Sequence, residues 1–143
     1  MNDDMNGSGQ LNMPIRHYVT KRLITVDHET SIQKGAARMV EFNISSLGIV
    51  KDKSVVGIIT DTDLKKRALA AGLSPETPVH KIMTRAPVTV DINSPVREVL
   101  EVMSREKVKH VFVTDRDKVI GVTTLQDLED IDPQHLETLI SRD

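Results

Sequence analysis

The chain has 143 residues, 19 basic and 21 acidic side chains, a formal net charge of −2, no Cys or Trp, one Tyr and two Phe. That is about one ordinary domain; its near-neutral charge and scarce aromatics exclude a polyanion footprint or a base-stacking platform, so nucleic acid is not an expected partner. Without cysteine there are no disulfides or thiolate metal sites, and with neither a signal-peptide pattern nor an apolar run near the roughly 18 residues of a membrane span, a cytoplasmic protein is expected, with no membrane partner.

Residues 1–14 are Asn, Gly, Ser and Asp with scattered Met and no period, the pattern of a mobile tail. A short lead segment, 15–20, runs into Leu23-Ile24-Thr25-Val26, rich in β-formers. Thr30-Ser31-Ile32-Gln33 fits a capping box that starts a helix, with Ile32, Ala36 and Met39 on one stripe. Strands are predicted over 47–50 and 55–60, joined by Lys51-Asp52-Lys53-Ser54. A helix begins near Thr60 and ends at Gly72, a left-handed cap, before the linker Ser74-Pro75-Glu76-Thr77-Pro78.

The second half repeats this order. A lead segment, 79–84, precedes the extended stretch Pro87-Val88-Thr89-Val90, and Ser94-Pro95 pairs an N-cap with a proline at the first helical position. Val96, Val99, Leu100 and Met103 form the helical stripe. Strands over 111–114 and 119–124 flank Asp115-Arg116-Asp117-Lys118, and a helix begins near Thr124. Residues 132–143 are expected to be a tail or a short helix.

The two halves align without a gap at an offset of 64 residues, so Thr25-Val26-Asp27 becomes Thr89-Val90-Asp91 and Asp63-Leu64 becomes Asp127-Leu128. Ten of fifty aligned pairs are identical. The chain is therefore expected to be an α/β (α+β) protein of two β-α-β-β-α repeats, 15–73 and 79–131, stacked about a pseudo-two-fold axis. Any site at their junction should occur twice.

Thr60-x-x-Asp63 and Thr124-x-x-Asp127 have two readings. As capping boxes they satisfy orphan N–H groups at helix starts. As ligand sites they pair a hydroxyl at a helix N-terminus, suited to phosphate, with a carboxylate able to accept both hydroxyls of a ribose. Gly57 and Gly121 either admit a ligand to the backbone or mark a tight strand. Lys109 and His110 form a basic edge whose counterparts, Ser45 and Ser46, carry no charge. Thr25 and Thr89 suit half-exposed strand positions. The acids Asp127, Asp130 and Asp132 suit a solvated helix exit, and Asp61-x-Asp63 lacks the third ligand and the glycine of an EF-hand. No histidine pairing suits a metal, and no nucleophile elbow, P-loop or other catalytic constellation is present. Neither a metal nor a catalytic residue is expected.

The paired endings Val56-Gly57-Ile58-Ile59-Thr60-Asp61-Thr62-Asp63-Leu64 and Ile120-Gly121-Val122-Thr123-Thr124-Leu125-Gln126-Asp127-Leu128, with Ile82-Met83-Thr84 and His110-Val111-Phe112-Val113-Thr114-Asp115, resemble the cystathionine-β-synthase (CBS) domain family in its tandem form. The resemblance covers about 15–131 and implies a regulatory module, not an enzyme, that binds an adenine nucleotide (AMP, ADP or ATP, or a related adenosyl ligand) in the inter-repeat cleft. It implies signalling by conformational change to an effector protein, with no required cofactor. Asp63 and Asp127 match ribose contacts, Thr60 and Thr124 phosphate contacts, and Thr25 and Thr89 strand positions near adenine. Lys109 and His110 match phosphate contacts that serve the ligand of Asp63 across the pseudo-dyad. Members often carry arginine where this chain has Thr62 and Gln126. The resemblance also implies a homodimer, with Leu64, Ala68 and Leu69 as apolar contacts, or, without a ligand, a dimerisation scaffold or part of a larger signalling protein.

Overall fold

In the computed structural model, residues 8–19, 21–85 and 87–129 are described. Eight strands are formed among them: β1 (Lys21–Arg22), β2 (Thr25–Asp27), β3 (Ser46–Lys51), β4 (Ser54–Thr60), β5 (Thr84–Arg85), β6 (Thr89–Asp91), β7 (His110–Asp115) and β8 (Lys118–Thr124). The helices are α1 (Ser8–Leu11), α2 (Ile32–Phe42), α3 (Asp61–Asp63) and α4 (Val96–Glu106). A π-helix, Leu64–Leu69, continues α3, and 3-10 turns cover Ile15–Tyr18, Val79–Lys81 and Gln126–Leu128. No described helix is long and apolar enough to cross a membrane.

The chain divides into two compact units, a central one, Leu23–Pro87, and one that joins Met1–Arg22 to Val88–Asp143. In the central unit the sheet order is β2-β3-β4-β5, with β2 parallel to β3 and the other pairs antiparallel. In the terminal unit the order is β1-β8-β7-β6, again with one parallel pair, β6 with β7. Helix α2 and the π-helix bury Ile32, Met39 and Ala68 with Leu47, Ile49 and Ile59 in the central unit. Helix α4 buries Val96, Val99, Leu100 and Met103 with Val111, Val113 and Leu128 in the terminal unit. These are the apolar stripes read from the helical period, now set against the inner face of each sheet.

Each lead segment completes the unit of the other repeat's helix and hairpin. Ile15 is fully buried in the terminal core, its N–H donates to Ser94 O at 2.8 Å, and Pro14 bridges Pro95. Val79 and Ile82 fill the central core, where Val79 N–H donates to Thr30 O at 2.7 Å and Ser31 bridges Pro78.

These bridges shift both helix starts by one residue from the sequence expectation. Ser31, rather than Thr30, caps α2 and accepts from Lys34 N at 3.2 Å. Pro95, rather than Ser94, is the N-cap of α4, because its extended backbone (ψ 149°) carries the bridge to Pro14. Part of the segment expected to be a tail is structured. Residues 8–11 are helical, Met13 O accepts from Val96 N at 2.9 Å, and the Arg97 guanidinium bonds Asn12. Residues 1–7, Thr20, Asp130, Asp132 and the expected tail or helix at 132–143 lie outside the described residues.

The hairpin turns are tighter than the four-residue segments expected. Lys51 pairs Ser54 and Asp115 pairs Lys118, leaving two residues in each turn. Both are left-handed, Asp52 and Lys53 at φ 50° and 67°, Arg116 and Asp117 at φ 53° and 65°. That mirror-image turn matches the strand twist. A bulge in each hairpin leaves Val56 and Ile120 as extra residues between ladder pairs. Gly72 adopts φ 70°, the left-handed stop expected of it.

The apolar face expected for a partner is differently distributed. Ala68 is buried and Leu64 packs on the same core. Leu69 is 81% exposed, and Val40 on α2 is 82% exposed.

Candidate functional site

Strand β4 ends at Thr60, whose extended backbone (φ −127°, ψ 172°) turns the chain into α3. Asp63 Oδ2 accepts Thr60 N–H at 2.9 Å and the Thr60 hydroxyl at 3.3 Å, while Thr60 Oγ1 accepts Asp63 N–H at 3.4 Å. The capping reading of this motif is therefore realised. It uses only one oxygen of a carboxylate that is 11% exposed. The other, Oδ1, faces Arg67 Nε at 3.7 Å, a charge contact too long for a hydrogen bond. Among the described residues no hydrogen bond reaches Oδ1, and the box fixes this largely buried side chain.

Arg67 was not legible as part of this site beyond its i, i+4 spacing from Asp63. Its Nη1 donates to Ile82 O at 3.3 Å and to Met83 O at 3.2 Å, tying the π-helix to the segment that enters β5.

The same box recurs in the terminal unit, where Asp127 Oδ2 accepts Thr124 N–H at 3.1 Å and Thr124 Oγ1 accepts Asp127 N–H at 3.2 Å. The ladders add the neighbours. Ser46 lies opposite Thr60 and Thr25 beside Gly48, so the central unit gathers Thr25, Thr60 and Asp63 at one end of its sheet. His110 lies opposite Thr124 and Thr89 beside Phe112, while Lys109 O accepts Leu125 N–H at 2.9 Å. The terminal unit thus gathers Thr89, Lys109, His110, Thr124 and Asp127. Thr25 is half-buried and Thr89 exposed; Lys109 is exposed and His110 half-buried.

Gly57 has a structural duty inside the central unit. A Cβ there would stand 2.6 Å from Met83 Sδ and 2.9 Å from Thr84 O. The sulfur could swing aside, but the carbonyl belongs to β5, which pairs with β4 at this residue. Gly57→Ala is expected to cost about 1–3 kcal/mol by forcing β5 away. Urea unfolding that gave less than about 0.5 kcal/mol would show that β5 moves freely.

A second cluster in the central unit had no sequence signal, since it joins residues fifty-two positions apart. Glu29 Oε1 lies 3.2 Å from His80 Nε2 and 3.5 Å from His28 Nε2, and the two imidazole centroids are 5.7 Å apart. Among the described residues, no group of three or more His, Cys, Asp or Glu side chains is placed to hold a metal ion.

Two reciprocal Thr-x-x-Asp boxes, each closing a β-α-β-β unit, are the arrangement on which the sequence resemblance rested. The profile of the CBS domain matches residues 15–70 and 79–131. The chain belongs to the CBS domain family. This CBS pair is 33% identical over 111 residues to Hypoxic response protein 1 of Mycobacterium tuberculosis, covering 76% of this chain and 77% of that one. An uncharacterised conserved protein from Pyrococcus horikoshii is similar in structure, with a TM-score of 0.80, 37% identity, and coverage of 84% of this chain and 92% of that one. So is the CBS domain pair of protein MJ0100 in complex with 5′-methylthioadenosine and S-adenosyl-L-methionine, with a TM-score of 0.74 and 32% identity. That match covers 82% of this chain and 94% of the other. The strand order and the two sheets of this CBS pair agree with the α+β repeat fold expected from the sequence.

Proposed function

We propose that this CBS pair is a regulatory binding module for an adenosine-containing small molecule, either an adenine nucleotide (AMP, ADP or ATP) or an adenosyl thioether. The observation that carries the reading is the Thr60–Asp63 box, which leaves Asp63 Oδ1 as a fixed carboxylate acceptor for a ribose diol. The adenosyl ligands of the MJ0100 pair, at 32% identity, support the same class. The output is a population shift, in which the ligand favours one of two conformations through differential affinity. Titrating the whole chain calorimetrically with 5′-methylthioadenosine, S-adenosylmethionine, AMP and ATP tests it. Saturable heats with at least one of them support the module; none at about millimolar concentration leaves the scaffold reading.

We assign Lys109 and His110 to the ligand phosphate, since the aligned positions in the other repeat, Ser45 and Ser46, bring no charge. Lys109→Ala combined with His110→Ala should narrow the gap between AMP and adenosine affinity by about tenfold or more, because charge-assisted contacts are roughly twice as strong as neutral ones. Repeating the titration with Asp63→Asn and Asp127→Asn allocates the phosphate contact to one carboxylate. An unchanged ratio removes the assignment.

A homodimer is also part of this reading, supported by the exposed Val40 and Leu69 on neighbouring helical segments of the central unit. Light scattering should return about twice the 15.9 kDa chain mass. A monomer mass across the micromolar range would refute it.

A further inference from the structure

A cavity of about 580 Å³ opens on the central unit, lined by His28, Glu29, Lys51, Val56, His80, Met83 and Arg85. It shares no residue with the Thr60–Asp63 box, and Lys51 is at the opposite end of β3 from Ser46, the partner of Thr60. Its apolar part is made by the bulge residue Val56 and by Met83, which also covers Gly57.

The charges around the cavity are unequal. Glu29 is the single acid of the lining, and its Oε1 is already engaged by both imidazoles, at 3.2 and 3.5 Å. Asp27 Oδ2 stands behind, 3.6 Å from His28 Nδ1. Among the described residues, neither Lys51 nor Arg85 has an ion-pair partner, so two cations line the opening against the one acid, Glu29, which is paired with the imidazoles. Two such cations oppose binding of a metal ion. They suit an anion with several acceptor oxygens, which one guanidinium and one ammonium can share.

We propose that this cavity is a second ligand site, distinct from the nucleotide site, that takes the phosphate group of a small phosphomonoester, with Lys51 and Arg85 as its charged ligands. A phosphate is favoured over a carboxylate because three terminal oxygens serve more of the converging donors than two. His80, Met83 and Arg85 lie on the segment that enters and forms β5, so an occupied site would also brace β5 against the hairpin.

The test uses inorganic phosphate as the probe, titrated into the whole chain at constant ionic strength and pH, with chloride as the control. Imidazole carbon-bound proton signals of His28 and His80 are followed by NMR. The expected result is a saturable shift of both signals with phosphate and none with chloride. Lys51→Gln combined with Arg85→Gln, both at exposed positions, should weaken phosphate binding about tenfold or more. Asp63→Asn should leave it unchanged, so failure of the nucleotide reading and failure of this one are separable. Linear, non-saturating shifts, equal shifts with chloride, or an affinity indifferent to the double substitution would each overturn the proposal.

Discussion

Asp63→Asn should abolish calorimetric binding of the adenosyl ligand at the Thr60 site while leaving the fold in place. The amide keeps the shape of the side chain and one carbonyl acceptor for Thr60 N–H, now at 2.9 Å from Oδ2. It removes the charge that makes Oδ1 a strong acceptor for the ribose diol, and charge-assisted hydrogen bonds are roughly twice as strong as neutral ones. Asp63→Ala should lose the ligand as well, together with about 0.5–2 kcal/mol of stability from the broken cap. The contact with Arg67 adds little, since that guanidinium is 53% exposed and solvent screens it. The two substitutions separate the roles of the carboxylate. If Asp63→Asn and Asp127→Asn both bind 5′-methylthioadenosine and AMP as the parent chain does, neither box holds a ribose.

Ile15→Ala is expected to destabilise the protein by about 2–5 kcal/mol, the range for truncating a buried branched side chain. Ile15 has no exposed surface, and it packs in the terminal core with Val96, Val99, Leu100 and Leu128. Against a total stability of about 5–15 kcal/mol, that loss is severe. It would also report on architecture, since a lead segment that merely fringed the fold would tolerate alanine. Guanidinium unfolding is the measurement. A loss under about 0.5 kcal/mol would mean that residues 15–18 do not belong to the terminal core.

The repeat, the order of elements along the chain and the two hairpins were legible because each rests on a local signal. Apolar residues at helical spacing, such as Val96, Val99, Leu100 and Met103, have one way to be buried. The Thr-x-x-Asp pairs specify their own hydrogen bonds within four residues, so their geometry followed from spacing alone. The turns were misjudged by one residue at each end because a left-handed pair at Lys53 or Arg116 has no glycine or asparagine to announce it.

What the sequence determined by itself is thus the local grammar: a duplicated unit, its strands and helices, and a carboxylate placed one helical turn beyond a β-strand. The tertiary structure decided which elements share a core. Only there does the lead segment of each repeat close the other unit, with Pro14 against Pro95 and Pro78 against Ser31. Only there does Arg67 reach Ile82 and Met83, or Glu29 stand between His28 and His80. The physical reason is the range of the interactions. Capping and periodicity act over a few residues and leave their mark in order along the chain. Burial and ion pairing act through space, and they join residues whose sequence separation carries no record of the contact.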